Sequence, residues 1–236
     1  MSPVQAFVPL VGKELRGLFV QPIAWVLIAV FLFVMGYTFV TNLAMTRSAA
    51  LVRIVFQAAT LLLLLVPLVT MRMLAEERRH GTLELLLATP ARERDVVLAK
   101  YVATMALVLA MLAPLFVYPL VLAALGKPDW GTIYGGCLGL VLLASQLAAL
   151  GLALSALTAN QVVAATLTIG LSLLLWLIDS LAAVLPAPWD ELVLNCSLLA
   201  HFTPFATGAL HLSDAGFFVT VTLLGLFLAV RASARR

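Results

Sequence analysis

The sequence has little charge. Asp, Glu, Lys and Arg make up 11% of its 236 residues, where a soluble domain carries about 25%. It has only two cysteines, Cys137 and Cys196, far apart and outside any C-x-x-C, so neither a disulfide framework nor a thiolate metal site is available. H-E-x-x-H, G-x-S-x-G and paired carboxylates inside an apolar run are all missing. His80, His201 and His211 are too scattered to act together. G-x-x-x-x-G-K-[ST] is missing too, so this chain cannot cradle ATP by itself. These absences exclude a soluble enzyme, a disordered protein and a secreted disulfide scaffold.

What is present is apolar surface: 64% of the residues are hydrophobic, and the mean hydropathy is +1.13. A soluble monomer of this size has no core large enough to bury so much. The composition is that of an integral membrane protein, all-α and polytopic, with residues 1–236 forming one transmembrane domain. Six apolar stretches, each long enough for about 30 Å of hydrocarbon, cover residues 22–43, 54–73, 96–125, 131–157, 162–185 and 214–230. Pro67 should kink the second, and Pro114 and Pro119 should loosen the far end of the third.

Residues 1–21 are not a secretory signal, because Lys13, Glu14 and Arg16 interrupt any apolar core. Val4, Phe7, Val8, Val11, Leu15 and Leu18 recur at helical spacing, with Gln5, Lys13, Glu14 and Arg16 read as off that face. The pattern predicts an amphipathic helix in the membrane interface, regular from about Pro9. With a cytoplasmic N-terminus, eleven Lys and Arg residues lie inside and three (Arg47, Arg53 and Lys127) outside. The bias puts both termini in the cytoplasm.

Residues 74–95 form the cytoplasmic segment with most internal organisation. Gly81 breaks the preceding helix, Thr82 can cap a new one, and Glu84 then meets the positive end of its dipole. Leu83, Leu85, Leu86 and Leu87 make that helix apolar on more than one side. Thr89 and Pro90 read as the cap and first residue of the next helix. The residues alone leave two readings open: a leucine-rich knob that a partner grips, or a re-entrant loop whose leucines dip into the interface. Elsewhere, Asp179 lies 19 residues past Asn160, about 28 Å up a helix and so near the outer interface. Ser145 and Gln146 read as interhelical hydrogen-bonding groups. Gly131, Gly135 and Gly139 permit close helix approach, within the chain or between copies. The outer loop at 186–213 should lie against the surface as short helices.

KELRGLFVQPIAWV at 13–26, PLVTMRMLAEERRHGTLELLLATP at 67–90, KPDWGTIYGGCLGL at 127–140, SALTANQVVAA at 155–165 and HFTPFATGALHLSDAGFF at 201–218 resemble ABC-2 type transporter permeases. The nearest branch is the gliding-motility-associated permeases, with those of nitrous-oxide-reductase maturation close by. The resemblance implies a separate ABC ATPase subunit in two copies, carrying ATP and Mg2+, and two permease copies as a homodimer. This chain would bind no cofactor or metal and would meet no nucleic acid. Its partners would be membrane lipid, the ATPase and an extracytoplasmic accessory protein. The interfacial helix becomes the elbow helix, and the segment at about 76–91 carries the coupling helix. Glu76, Glu77, Arg78, Gly81, Thr82, Glu84 and Pro90 match the family's pattern, and Leu86 falls on the coupling helix they delimit. No large outer domain is present to act as a gate. The expectation is an exporter permease of the bacterial inner membrane, without ATPase activity of its own. A membrane-embedded enzyme acting on lipid or polyprenyl groups is the alternative.

Overall fold

A chain in hydrocarbon must satisfy its own backbone polar groups, and an apolar run does so as a helix. The computed structural model describes residues 3–46, 51–79, 93–125, 129–182, 184–186 and 188–234. Among the described residues the regular elements are all helical. They are α1 (Pro3–Val20), α2 (Pro22–Thr46), α3 (Val52–Arg79), α4 (Glu93–Leu112), a 3-10 turn (Ala113–Phe116), α5 (Val117–Leu125), α6 (Trp130–Leu157), α7 (Gln161–Leu177), α8 (Asp179–Ala182), α9 (Trp189–Leu194), α10 (Leu198–Thr207) and α11 (Leu212–Ala234). Six helical stretches are long and apolar enough to cross a membrane: Pro22–Met45, Val52–Arg79, Glu93–Ala124, Trp130–Leu157, Gln161–Ala182 and Leu212–Ala234. The chain is a multi-pass membrane protein.

Proline chemistry shapes two of these spans. Pro114 lies in the first turn of the 3-10 segment that interrupts the third span, so the expected loosening is there. Pro67 stays inside α3, which is helical throughout Val52–Arg79. In α1 the helix begins at Pro3 with Pro9 inside it, rather than starting near Pro9 as the sequence suggested. Its end is turned by Gln21, whose backbone N–H donates to the Leu18 carbonyl, and Trp25 Nε1 donates back to the Phe19 carbonyl at 2.9 Å.

The fourth span is the central one. In α6, 67% of the most apolar window is buried, against 28% in α2, α7 and α11. Small residues let neighbours come close. A Cβ on Gly151 would run into the Thr70 side chain of α3, and one on Gly225 would lie 2.9 Å from the Ala149 backbone. Ser145 joins three spans: its hydroxyl lies 2.6 Å from Tyr101 Oη on α4 and 3.2 Å from Thr222 Oγ1 on α11. Gln146 beside it departs from expectation. Its amide is fully buried, yet neither amide atom has a hydrogen-bond partner.

The segment between the last two spans is more deeply packed than a surface loop. Ser197 caps α10, its hydroxyl accepting from Ala200 N–H at 3.1 Å. Leu198, Phe202, Phe205 and Ala206 are buried. Gly208 ends the helix in a left-handed conformation, φ 83°, with a would-be Cβ only 3.1 Å from the Thr132 backbone. Glycine is required there both by φ and by space. His201 Nδ1 on α10 lies 2.8 Å from Asp214 Oδ1 on α11, and its ring stacks on Phe217 at 4.1 Å. Asp179 stands just past the end of α7, at the start of α8.

Candidate functional site

The last turns of α3 lead directly into residues 80–92 and are held on two sides. From α6, Ser155 reaches into the α3 backbone. Its hydroxyl accepts from the Leu74 and Ala75 amides at 3.3 and 3.0 Å and donates to the Met71 carbonyl at 3.0 Å. Met71 C=O and Ala75 N–H are the two ends of one α-helical rung, so the hydroxyl bonds to both groups of that rung of α3. One turn further on, the Arg78 guanidinium donates to the Ala156 carbonyl. Carbonyls near a helix C-terminus lack intrahelical donors, and Arg78 supplies one for α6.

The other side is ionic. Lys100, in the second turn of α4, is 2% exposed. Its ammonium donates to Glu77 Oε1 at 2.7 Å and Glu14 Oε2 at 3.1 Å. The two carboxylates are also largely covered, Glu14 12% and Glu77 18% exposed. One buried cation thereby joins α1, α3 and α4. A buried ammonium tolerates desolvation only with close anionic partners, and it has two.

Sequence reading placed Glu76, Glu77 and Arg78 in the contact segment, and all three lie on the last turns of α3. Gly81, Thr82, Glu84, Leu86 and Pro90 lie outside the described residues. Gly131 is in the first turn of α6, its N–H donating to the capping Asp129 carboxylate. Gly135 and Gly139 meet α10 of the same chain: added Cβ atoms would lie 2.8 Å from the Phe205 carbonyl and 2.6 Å from Phe205 Cβ.

Lys100, Glu14 and Ser155 were missed as site residues. In the sequence Lys100 is only one of the eleven inside basic residues, although it falls four residues inside the apolar stretch beginning at Val96. Glu14 had been read as off the apolar face of α1. It stands seven residues after Phe7 and four before Leu18, which is the same face at 3.6 residues per turn. In the sequence Ser155 carries no signal beyond opening the SALTANQVVAA stretch at 155–165.

A separate groove of about 440 Å³ between α4 and α6 is lined by Leu109, Leu112, Phe116, Cys137 and Leu138 among other apolar groups, and offers no acid, base or nucleophile arrangement. At the α3 exit, by contrast, a helix end is fixed by a hydroxyl, a guanidinium and a buried ammonium. No curated protein matches the chain significantly. The model of the ABC-2 family transporter proteins matches residues 8–232, from α1 through the last span, and with that coverage the chain belongs to this family.

Proposed function

We propose that this chain is the membrane-spanning permease of an ABC exporter whose ATP-hydrolysing subunit is a separate protein. Permeases of this family normally pair with such a subunit. The observation that carries the reading is the family match across residues 8–232. The clamped α3 exit supports it, because a helix end that must pass force into the bundle needs rigid attachment there.

In this reading residues 80–92 carry the coupling helix, with Glu76, Glu77 and Arg78 at its root and Gly81, Thr82, Glu84, Leu86 and Pro90 shaping it. ATP and Mg2+ reside on the partner. Closure of two ATPase copies moves the coupling helices of two permease copies, and the spans tilt as rigid bodies. The homodimer rests on the resemblance and does not draw on Gly135 and Gly139, which are occupied within the chain. Both termini face the cytoplasm of a bacterial inner membrane, and the cargo is exported or assembled on the far side. The resemblance to the gliding-motility and nitrous-oxide-reductase-maturation branch supports an extracytoplasmic accessory protein as a further partner, without fixing the cellular process.

Affinity purification of the tagged chain from its native membrane tests the reading. A stoichiometric ABC ATPase should come with it, and cargo movement should require ATP. A chain that purifies without an ATPase and processes a polyprenyl lipid would be the membrane enzyme instead.

A further inference from the structure

We propose that Lys100 is a positioning residue: it latches the interfacial helix α1 to the exit of α3, so that displacement of residues 80–92 moves α1 and α3 as one body. The use of the latch in transport rests on the proposed function; the latch itself is a property of this chain.

The geometry sets Lys100 apart from an ordinary charge at a span end. Such lysines reach outward to water, whereas this ammonium is almost fully covered and turned to two carboxylates from different helices. Glu14 and Glu77 precede it by 86 and 23 residues, so the contact is tertiary. A single carboxylate would have been enough to neutralise it. The second one brings in α1, which packs along α4. Beyond this point the α3 exit is also fastened to α6 by Ser155 and Arg78. The final turns of α3 therefore have an attachment to the bundle centre through α6 and one to the interfacial helix through Lys100. An apolar trio of similar volume would serve stability equally well or better. It would not fix the direction in which α1 meets α3, because apolar contacts are non-directional.

The test separates stability from position. Spin labels are placed at Arg16→Cys on α1 and Arg79→Cys on α3, both exposed, with Cys137 and Cys196 replaced by serine. Distances are measured by pulsed electron resonance on the full-length permease in nanodiscs. With labelled chains diluted into excess unlabelled chain, so that distances between copies do not contribute, the parent should give one narrow distance distribution. Glu14→Gln removes only the negative charge of the α1 arm and leaves the Lys100–Glu77 pair; it should widen the distribution while the unfolding temperature stays near that of the parent. The neutral trio Glu14→Gln, Glu77→Gln, Lys100→Met should widen it further. Distributions as narrow as the parent's in Glu14→Gln overturn the latch and leave Lys100 a buried ion pair only. These readings need no ATPase. In the purified complex, Glu14→Gln should lower transport per ATP hydrolysed about threefold or more; an unchanged ratio also overturns the coupling role. If no ATPase accompanies the parent chain, the proposed function fails while the distance result still decides the latch.

Discussion

The hydroxyl of Ser155 lies 3.0 Å from the Ala75 amide nitrogen, against the backbone of a helix 80 residues earlier in the chain. Ser155→Ala removes the hydroxyl and leaves the α3 backbone to its own helical bonds, so the net cost should be about 1 kcal/mol. Ser155→Val adds bulk at a site with no exposed surface and should cost about 1–3 kcal/mol through overpacking. Thermal unfolding in nanodiscs orders the variants. Equal stability of all three would show that the contact is energetically idle.

The close approach of α6 and α10 gives a second expectation. Gly139→Leu must displace Phe205, whose Cβ lies 2.6 Å from the position an added Cβ would take. The change should destabilise the single chain by about 1–3 kcal/mol or more, and Phe205→Ala introduced with it should recover part of the loss. Light scattering on the folded fraction should find the oligomeric state unaltered. A variant of normal stability with a lost dimer would move this glycine to an interface between copies.

Asp129 supplies the pH-dependent element. Its carboxylate caps α6, accepting from Thr132 Oγ1 at 2.6 Å and from Gly131 N–H at 3.1 Å. The Thr132 hydroxyl, more than the backbone amides, holds its pKa below the ordinary 3.8. A carboxyl with a depressed folded value adds stability that is complete above the unfolded value and is lost as pH falls through the folded one. The stability difference between parent and Asp129→Asn should therefore be constant above pH 3.8 and shrink below it. A difference that grows on acidification contradicts the capping role.

The six spans were legible because the membrane reduces the problem to one dimension: a long apolar run has one available backbone solution. The α3 exit was not legible because its parts are local in none of their contacts. Lys100 looks like a flanking charge until Glu14 and Glu77 are brought to it. Ser155 looks like a spacer until α3 is seen to pass within hydrogen-bond reach. The error on Glu14 is of another sort, since the i, i+7 relation with Phe7 is in the sequence; an acidic residue was assigned to the polar face by its type and not by its angle. Gln146 fails for a third reason, as its chemistry forecasts a partner that the packing does not provide.

Orientation can be tested with a residue the chain already has. Cys196 is exposed, whereas Cys137 is half-buried within α6. Eleven inside against three outside basic residues put the α9–α10 region outside the cell under the positive-inside rule. In a Cys137→Ser background, a membrane-impermeant maleimide should label Cys196 in intact cells. A cysteine at exposed Ala234, with Cys196 also replaced by serine, should react only after permeabilisation. The reverse pattern would turn the protein over and remove residues 80–92 from the compartment that holds ATP.

Leu86 and Glu93 together test the coupling role proposed for residues 80–92. Glu93 opens α4, where a carboxylate favours the positive end of the helix dipole by about 0.3–1 kcal/mol. Glu93→Ala should therefore cost little and leave ATPase association intact. Leu86 stands in the middle of the leucine-rich stretch between Gly81 and Pro90. If that stretch fills an apolar groove of the ATPase, Leu86→Asp buries a charge without a partner, a penalty much larger than that of a rim substitution. The expected result is a permease that inserts and unfolds normally but loses ATPase co-purification, with ATP-dependent transport falling by about tenfold or more. Glu84→Lys should fall between the two, since it opposes the dipole and adds repulsion toward Arg78 and Arg79 without entering the groove. Equally small effects of Leu86→Asp and Glu93→Ala in folded, inserted protein would reduce residues 80–92 to a solvated connection, and the drive for transport would then have to come through another surface.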